Sequence, residues 1–434
     1  MKLEFLGVQA LIDDYDLARV SDVLLSEGQS QTLRLIQGAI RKSAHVLDGD
    51  KTQLAGQLLG KLLDFEVPEI QGMLEQAKQW KDSVWLRPLK ANLEQPGEGC
   101  LRTLTGHTGK VDAVAIAPDG KTAIFASWNE LKIWDTKTGT QLRTLTGHTG
   151  GVNAVVIAPD GKTAISASWN ELKIWDTETG TELRTLTGHT SQIIAIAIAP
   201  DGKTAIFASR NELKIWDTET GRELKTLTGH TGYVNAVAIA PDGKTAISAS
   251  WDKTLKLWNT KTGRELKTLT GHSSGVTAVA IAPDGKTAIS ASWDKTLKLW
   301  NTKTGRELKT LTGHTGYVTA VAIAPDGLTA ISAAWDKTLK IWDTDSGWEL
   351  KKLTGHTSEV RAVLIAPDGQ RAISASDDKT LKIWDLLNGK EIASFSGDAE
   401  FNCCAILPDG VTVVAGDSLG RVHFLRLEGV SGGR

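Results

Sequence analysis

Cysteine is nearly missing from this sequence, with only Cys100, Cys403 and Cys404 among 434 residues. Three thiols, two of them adjacent, build neither a disulfide framework nor a metal site of ordinary ligand spacing. The scarcity fits a reducing, cytoplasmic compartment. No charge of one sign prevails either, since 49 basic residues face 51 acidic ones. That balance argues against a nucleic-acid-coating surface and against a polyacidic tail. No run of about 18 apolar residues occurs, so no membrane-spanning helix is expected. The opening stretch MKLEFLGVQALIDDYD meets aspartates before a signal-peptide apolar region can form. Tyrosine is scarce too, at three, yet tryptophan reaches 15. Something in the chain multiplies tryptophan.

The multiplier is a repeat. The stretch SASWDKTLKLWNT stands at 248–260 and again, unchanged, at 290–302. Gly-His recurs with His107, His148, His189, His230, His272, His314 and His356, at steps of 41 or 42 residues. One more step lands on Asp398, in a decayed copy. Trp followed by Asp or Asn recurs at Trp134, Trp175, Trp216, Trp258, Trp300, Trp342 and Trp384, with Leu425 as the eighth counterpart. Each unit reads as four short strands. In the fourth unit these are YVNAVAIA, TAISAS, TLKLWNT and ELKTLTG, separated by the turns PDGK, WDKT and KTGR. Alternating strands with tight turns at even spacing imply a mainly β, antiparallel architecture. A period of about 40 with these markers narrows it to a β-propeller blade.

On these markers the stretch from about 101 to 428 resembles the WD40-repeat family. The resemblance implies that the sequence repeat is offset from the blade. Inner strands then begin near Val111, Val152, Ile193, Val234, Val276, Val318, Val360 and Phe401. This predicts an eight-bladed propeller, with seven as the alternative because the last repeat is degenerate. The ring is expected to close through LRTLTG at 101–106, as the outer strand beside the third strand of blade eight (421–427).

The resemblance also implies a buried network in each blade. Its members here are His230, Ser248, Asp252 and Trp258; His272, Ser290, Asp294 and Trp300; His314, Ser332, Asp336 and Trp342; and His356, Ser374, Asp378 and Trp384. Satisfied buried polar groups would rigidify a small sheet. Blades one to three are a residue shorter in the turn, with Asn129, Asn170 and Asn211 where the aspartate should be. Phe125 and Phe207 replace the serine in blades one and three, and blade eight has lost the set. Repetition argues against catalysis, because an active site needs one constellation rather than several copies. Gly161–Thr163 resembles the end of a phosphate loop, but Val156 stands where its first glycine is required. No catalytic residue, metal site or cofactor is expected.

Antiparallel strands place the Gly-His loops and the WDKT turns on one rim. Trp128, Trp169, Trp251, Trp293 and Trp335 should therefore form an arc there, with Arg210 and Asp377 at the same position in blades three and seven. Tyr233, Tyr317 and Arg361 belong to the same face. In the family such positions are where partners dock, and Trp, Tyr and Arg are the residue types enriched in hot spots. The opposite rim reads as a solvated mixture of charges.

The first hundred residues change character. Helical spacing marks 30–47 with Ser30 as cap, 50–65 with Asp50 as cap, and 67–81 with Pro68 in the first turn. Helices are also expected over 3–13 and in YDLARVSDVLL. The reading is a small all-α domain at 1–92, a linker at 93–100, the propeller at 101–428 and a disordered tail at 429–434. This N-terminal segment resembles the helical domain preceding WD repeats in bacterial relatives of the apoptotic-protease-activating factor, which carry an NB-ARC or NACHT nucleotide switch. No such nucleotide-binding segment occurs in this sequence. The expected function is a non-enzymatic scaffold or sensor that binds a protein or peptide on the Trp/Tyr-rich face. The alternative is a regulatory subunit of a separate NB-ARC/NACHT-type signalling ATPase. Neither nucleic acid nor membrane is an expected partner, and the helical domain could also serve an oligomer.

Overall fold

The computed structural model describes residues 7–15, 25–79, 84–93, 106–169, 171–188 and 191–429. Strands dominate, in eight four-stranded antiparallel sheets. In blade one the strands are Val111–Ile116, Thr122–Ser127, Glu130–Asp135 and Gln141–Thr146, running from the axis outward. In blade four they are Val234–Ile239, Thr245–Ser250, Leu255–Asn259 and Glu265–Leu269.

The sequence pattern of each strand follows from its layer. Second strands are buried along nearly their whole length, which explains their alternation of Ile with Ala and Ser. Outer strands are exposed except for one leucine. The cores lie between blades rather than within them. Ile124, Ala126, Leu131, Ile133 and Leu145 of blade one pack with Val152, Val155, Ala164 and Trp175 of blade two. The third-strand tryptophan of blades one to seven thus fills the space against the preceding blade, as Trp300 does against Ile247, Leu255 and Leu257. Polar residues of the inner strands clasp the next blade: Asn235 donates to Val276 O, Thr277 to Val318 O and Thr319 to Val360 O.

The closing blade differs from the expectation. The outer strand of blade eight is Trp85–Pro88, antiparallel to Val422–Glu428, with Leu86 opposite Leu427. The edge assigned to 101–106 is therefore already covered, and residues 101–105 lie outside the described residues. The physical reason is apolar content. LRTLTG repeats an outer-strand pattern that is mostly exposed, whereas Trp85 enters the helical core and Leu86 enters the core of blades seven and eight. Leu89 N then donates to Phe424 O, extending the attachment. Residues 84–92, expected in the helical domain, and Leu93, expected in the linker, carry this strand and bond back to the Leu54–Leu62 helix through Asn92 N and Leu93 N to Gly60 O. Asn402 of blade eight donates to Val111 O, and His107 N to Gly420 O, joining last blade to first. Gly420 has φ 84°, and a Cβ there would stand 2.5 Å from His107 O, so only glycine allows this approach.

The helical region contains α1 (7–15), α2 (Glu27–Lys42), α3 (Ala44–Leu47), α4 (Leu54–Leu62) and α5 (Pro68–Lys78). The cap of α2 is Ser26, which forms a capping box with Gln29; Ser30 lies inside the first turn because its N–H already bonds Ser26 O. Asp50 accepts from Thr52 N ahead of α4, and Pro68 opens α5. The expected second helix at YDLARVSDVLL falls mostly on 16–24, outside the described residues.

The α4 helix lies along the outer strand of blade seven, Lys390–Ser396. Gln53, just before it, donates to Ser394 O at 2.8 Å, and Gln57 donates to Ser396 O at 2.8 Å. Lys61 reaches Asp398 at 3.4 Å. Positions 53, 57 and 61 share one helix face. An outer strand presents unpaired carbonyls, a template for unwanted pairing, and the glutamine amides occupy two of them.

This closure can be tested by truncation. A chain starting at residue 84 retains the outer strand of blade eight, and one starting at 94 loses Leu86 and Leu93, both buried. Loss of a buried leucine costs about 2–5 kcal/mol. The shorter chain should melt well below the longer one by calorimetry; equal melting would mean that 101–106 substitutes.

Candidate functional site

The polar network is built in five described blades. In blade five, Trp300 Nε1 donates to Ser290 Oγ at 2.8 Å, Ser290 Oγ lies 2.8 Å from His272 Nε2, and His272 Nδ1 lies 2.7 Å from Asp294 Oδ2. The same chain joins Trp258, Ser248, His230 and Asp252. It joins Trp342, Ser332, His314 and Asp336, and again Trp384, Ser374, His356 and Asp378. The aspartate has two further tasks: Asp294 Oδ2 accepts from Ser273 N, and Oδ1 accepts from Thr296 N and Oγ1. It thereby holds the Gly-His loop and the neighbouring turn together. That turn places Lys295 at φ 70°, a costly conformation for a residue with a Cβ.

Ser-His-Asp geometry of this kind resembles a hydrolase triad. Here the serine oxygen is fully buried and already accepts the indole N–H. A nucleophile must reach substrate, so the arrangement can stiffen a blade but cannot attack.

The shorter turns use a different residue from the one expected. Glu171, not Asn170, takes the aspartate's place in blade two, with His148 Nδ1 at 3.1 Å and Thr149 N at 2.9 Å. Glu130 does so in blade one, 3.4 Å from His107 Nδ1. The turn has lost a residue, so the carboxylate comes from the first position of the third strand on a side chain one methylene longer. Phe125 then removes the serine, and His107 Nε2 and Trp134 Nε1 have no hydrogen-bond partner among the described residues. Burial, with Lys132 nearby, pushes His107 down to about 3.

Blade eight carries another network where the first was lost. Asp398, at the histidine position, pairs with Arg421 of its own blade and with Lys61 of α4. Asp417 accepts from Arg421 N and lies 3.0 Å from His423 Nε2. Lys61, Asp417 and His423 are fully buried. A second recurrent device also escaped the sequence reading. Lys256 on the third strand bonds Glu265 and Thr268 of the outer strand, each at 2.8 Å. The signal was visible as a lysine nine residues before a glutamate. Cys404 is a core residue whose thiol burial pushes up to about 12, which leaves it unreactive.

The candidate binding residues divide into groups. Five aromatic rings form one continuous arc over blades four to six. Tyr233 contacts Trp251 at 5.2 Å between centroids, Trp251 contacts Trp293 at 5.2 Å, Trp293 contacts Tyr317 at 5.8 Å, and Tyr317 contacts Trp335 at 5.1 Å. The backbone fixes their bases: Trp251 N donates to Tyr233 O, Trp293 N to Gly275 O and Trp335 N to Tyr317 O. Gly275 stands where blades four and six have tyrosine. A Cβ at Gly275 would lie 3.1 Å from Trp251 Cδ1, so the missing side chain lets Trp251 lean across to Trp293. Trp251 remains 45% exposed and Trp335 38%. Trp128 and Trp169, in blades one and two, are more exposed and stand outside this arc. Arg210 is exposed at φ 47°. Arg361 and Asp377 bond each other, with Nη2 to Oδ2 at 2.7 Å, in blade seven.

Among the described residues, no cluster of His, Cys, Asp and Glu could hold a metal ion, and no helix is long and apolar enough to cross a membrane.

Two measurements check the network. Ser290→Ala leaves Trp300 Nε1 and His272 Nε2 buried without their common partner, at about 1–3 kcal/mol for each group. Denaturant titration should show a loss of that size, whereas Ser273→Ala in the exposed loop should be nearly neutral. The second measurement is pH dependence. Burial alone would raise the Asp294 carboxyl, but hydrogen bonds from His272 and Thr296 outweigh it and hold it far below its ordinary value of 3.8. A depressed acid contributes stability above its unfolded pKa and loses it as pH falls. Asp294→Asn should therefore be less stable than the wild type at neutral pH, and the gap should narrow as pH falls below about 4.

Comparison with known proteins agrees with this geometry. The model of the WD domain, G-beta repeat, matches residues 98–135, 139–176, 180–217, 221–259, 263–301, 305–343 and 347–385. No curated protein sequence matches the chain. The crystal structure of the computationally designed Ika8 protein is similar at 30% identity and TM-score 0.67, covering 74% of this chain and 97% of that one. Seven matched repeats, spanning more than half of the residues, sit on seven of the eight sheets, and the chain belongs to the WD domain, G-beta repeat family.

Proposed function

We propose that the chain is a non-enzymatic interaction scaffold whose upper rim, over blades four to six, binds a protein or peptide. The observation that carries this reading is the arc from Tyr233 to Trp335. Five large rings in mutual contact remain part-exposed on one face. Exposed contiguous apolar surface of this kind marks interaction sites, and rigid aromatic side chains lose little entropy on binding. The rings are already ordered by their neighbours, so a partner meets a prepared surface. Arg361 and Asp377 neutralise each other at the blade-seven end. Trp128, Trp169 and Arg210 would extend the contact for a larger partner.

A second reading draws on the seating of α4. Lys61 is buried against Asp398, and either charge left buried without the other would be costly, so the pair ties the helical region to the propeller. A sensor that passes a signal to a separate NB-ARC/NACHT-type ATPase would need this firm coupling. Copurification of a nucleotide-binding protein would favour it.

The test of the main reading compares the wild-type chain with Trp251→Ala/Trp293→Ala in capture from the source cell's lysate. Each removed hot-spot ring should cost about 2 kcal/mol or more. The expected result is a protein retained by the wild type and lost from the variant, at equal melting temperatures. Identical captures would sink the reading.

A further inference from the structure

The lower rim is not the uniform charged surface that its repeats suggest. Blade five carries Lys286 in its first hairpin turn, and Asn301, Lys303 and Arg306 in its second. Blade six, otherwise almost the same sequence, carries Leu328, Asp343, Asp345 and Trp348 at those positions. Three cations give way to two large apolar side chains and an acid, and an amide gives way to another acid. The two turns lie side by side, since Thr344 N donates to Leu328 O at 3.0 Å. Leu328 is 62% exposed and Trp348 is 74% exposed, the most of any described tryptophan. Neither has a packing task in its blade, because the lysine and arginine of blade five serve equally well there. In the next blade Leu387 is 81% exposed, in a turn whose Gly389 rests on Lys351 and Leu353 of blade six.

Three carboxylates border this patch, with Lys309 running under the Gly347 turn and Lys351 under the Gly389 turn. In blade five Lys286 lies 3.8 Å from Asp284, and in blade seven Arg371 pairs with Asp368 at 2.6 Å. In blade six Leu328 removes that cation. Among the described residues no ion pair neutralises Asp326, Asp343 or Asp345. An exposed indole and leucine bordered by three carboxylates complement a segment with the opposite arrangement, an apolar anchor flanked by lysine or arginine.

We infer that the lower rim of blade six is a second docking surface, and that its occupant is a basic amphipathic segment of another protein. Trp348 and Leu328 receive the apolar side, and Asp326, Asp343 and Asp345 face the cations. The inference is independent of the upper-rim reading and rests on different residues.

The test uses a fluorescently labelled synthetic helix of leucine and lysine, with a leucine–glutamate helix as control, followed by anisotropy. The variant is Leu328→Lys/Asp345→Lys/Trp348→Arg, which installs residues that blade five already folds with. The expected result is binding of the lysine helix that weakens roughly tenfold or more in the variant. It should also weaken with added salt, and persist in Trp251→Ala/Trp293→Ala. Equal binding by the triple variant, or equal binding of the glutamate helix, overturns the inference. So does self-association of the wild type, abolished in the triple variant by sedimentation, which would make a second copy the occupant.

Discussion

A ring of sheets is stable only if the last sheet meets the first, and every other feature of this molecule depends on that closure. Each blade is too thin to own a core, so its apolar residues are satisfied by its neighbours. An open ring would leave one face of blade one and one face of blade eight without partners. Blades one and eight meet through Phe125, Trp134, Val414 and Phe424. Blades seven and eight meet through Phe395, Phe401, Leu425 and Leu427. Blade eight lacks the third-strand tryptophan, and Phe395 and Phe401 fill its interface with blade seven, whereas Trp134 of blade one keeps its place against Phe424. The closing strand then covers the remaining edge, and α4 covers the edge beside it.

Much of this was legible in the sequence because it repeats. The count of eight blades, the three inner strands of each blade and the Trp-Ser-His-Asp network of blades four to seven follow from positions that recur every 41 or 42 residues. What the repeat could not reveal lies where it fails. Trp85–Pro88 has no sequence likeness to an outer strand, and its place is fixed by where Trp85 and Leu86 find apolar partners. Glu171 replaces an aspartate from a different strand position, a substitution of reach rather than of residue type. The pairing of Lys61 with Asp398 joins residues 337 apart, beyond any local pattern.

The upper rim was partly legible. The sequence places tryptophan at the same turn in five blades. It does not say which of them touch. The continuity of the arc depends on Tyr233 and Tyr317 filling the gaps between blades, and on Gly275 leaving one open. These are departures from exact repetition, and they make one sector of a nearly symmetric ring unlike the rest. Blade six departs similarly on the lower side. The repeat sets the frame, and the exceptions within it shape the exposed surface.

The position of the closing strand has a consequence for how the chain is made. Gln53 meets Ser394 across 341 residues of sequence. At synthesis rates of 5–20 residues per second, the N-terminal segment waits on the order of tens of seconds for blade eight to emerge. During that interval Trp85, Leu86 and the glutamine face of α4 stand without their partners, and seven near-identical sheets form beside them. Any of those sheets could offer its outer edge to the waiting strand. Among the described residues, the contacts that await the N-terminal segment belong to blades seven and eight: Ser394 for Gln53, Phe395 for Leu86 and Asp398 for Lys61.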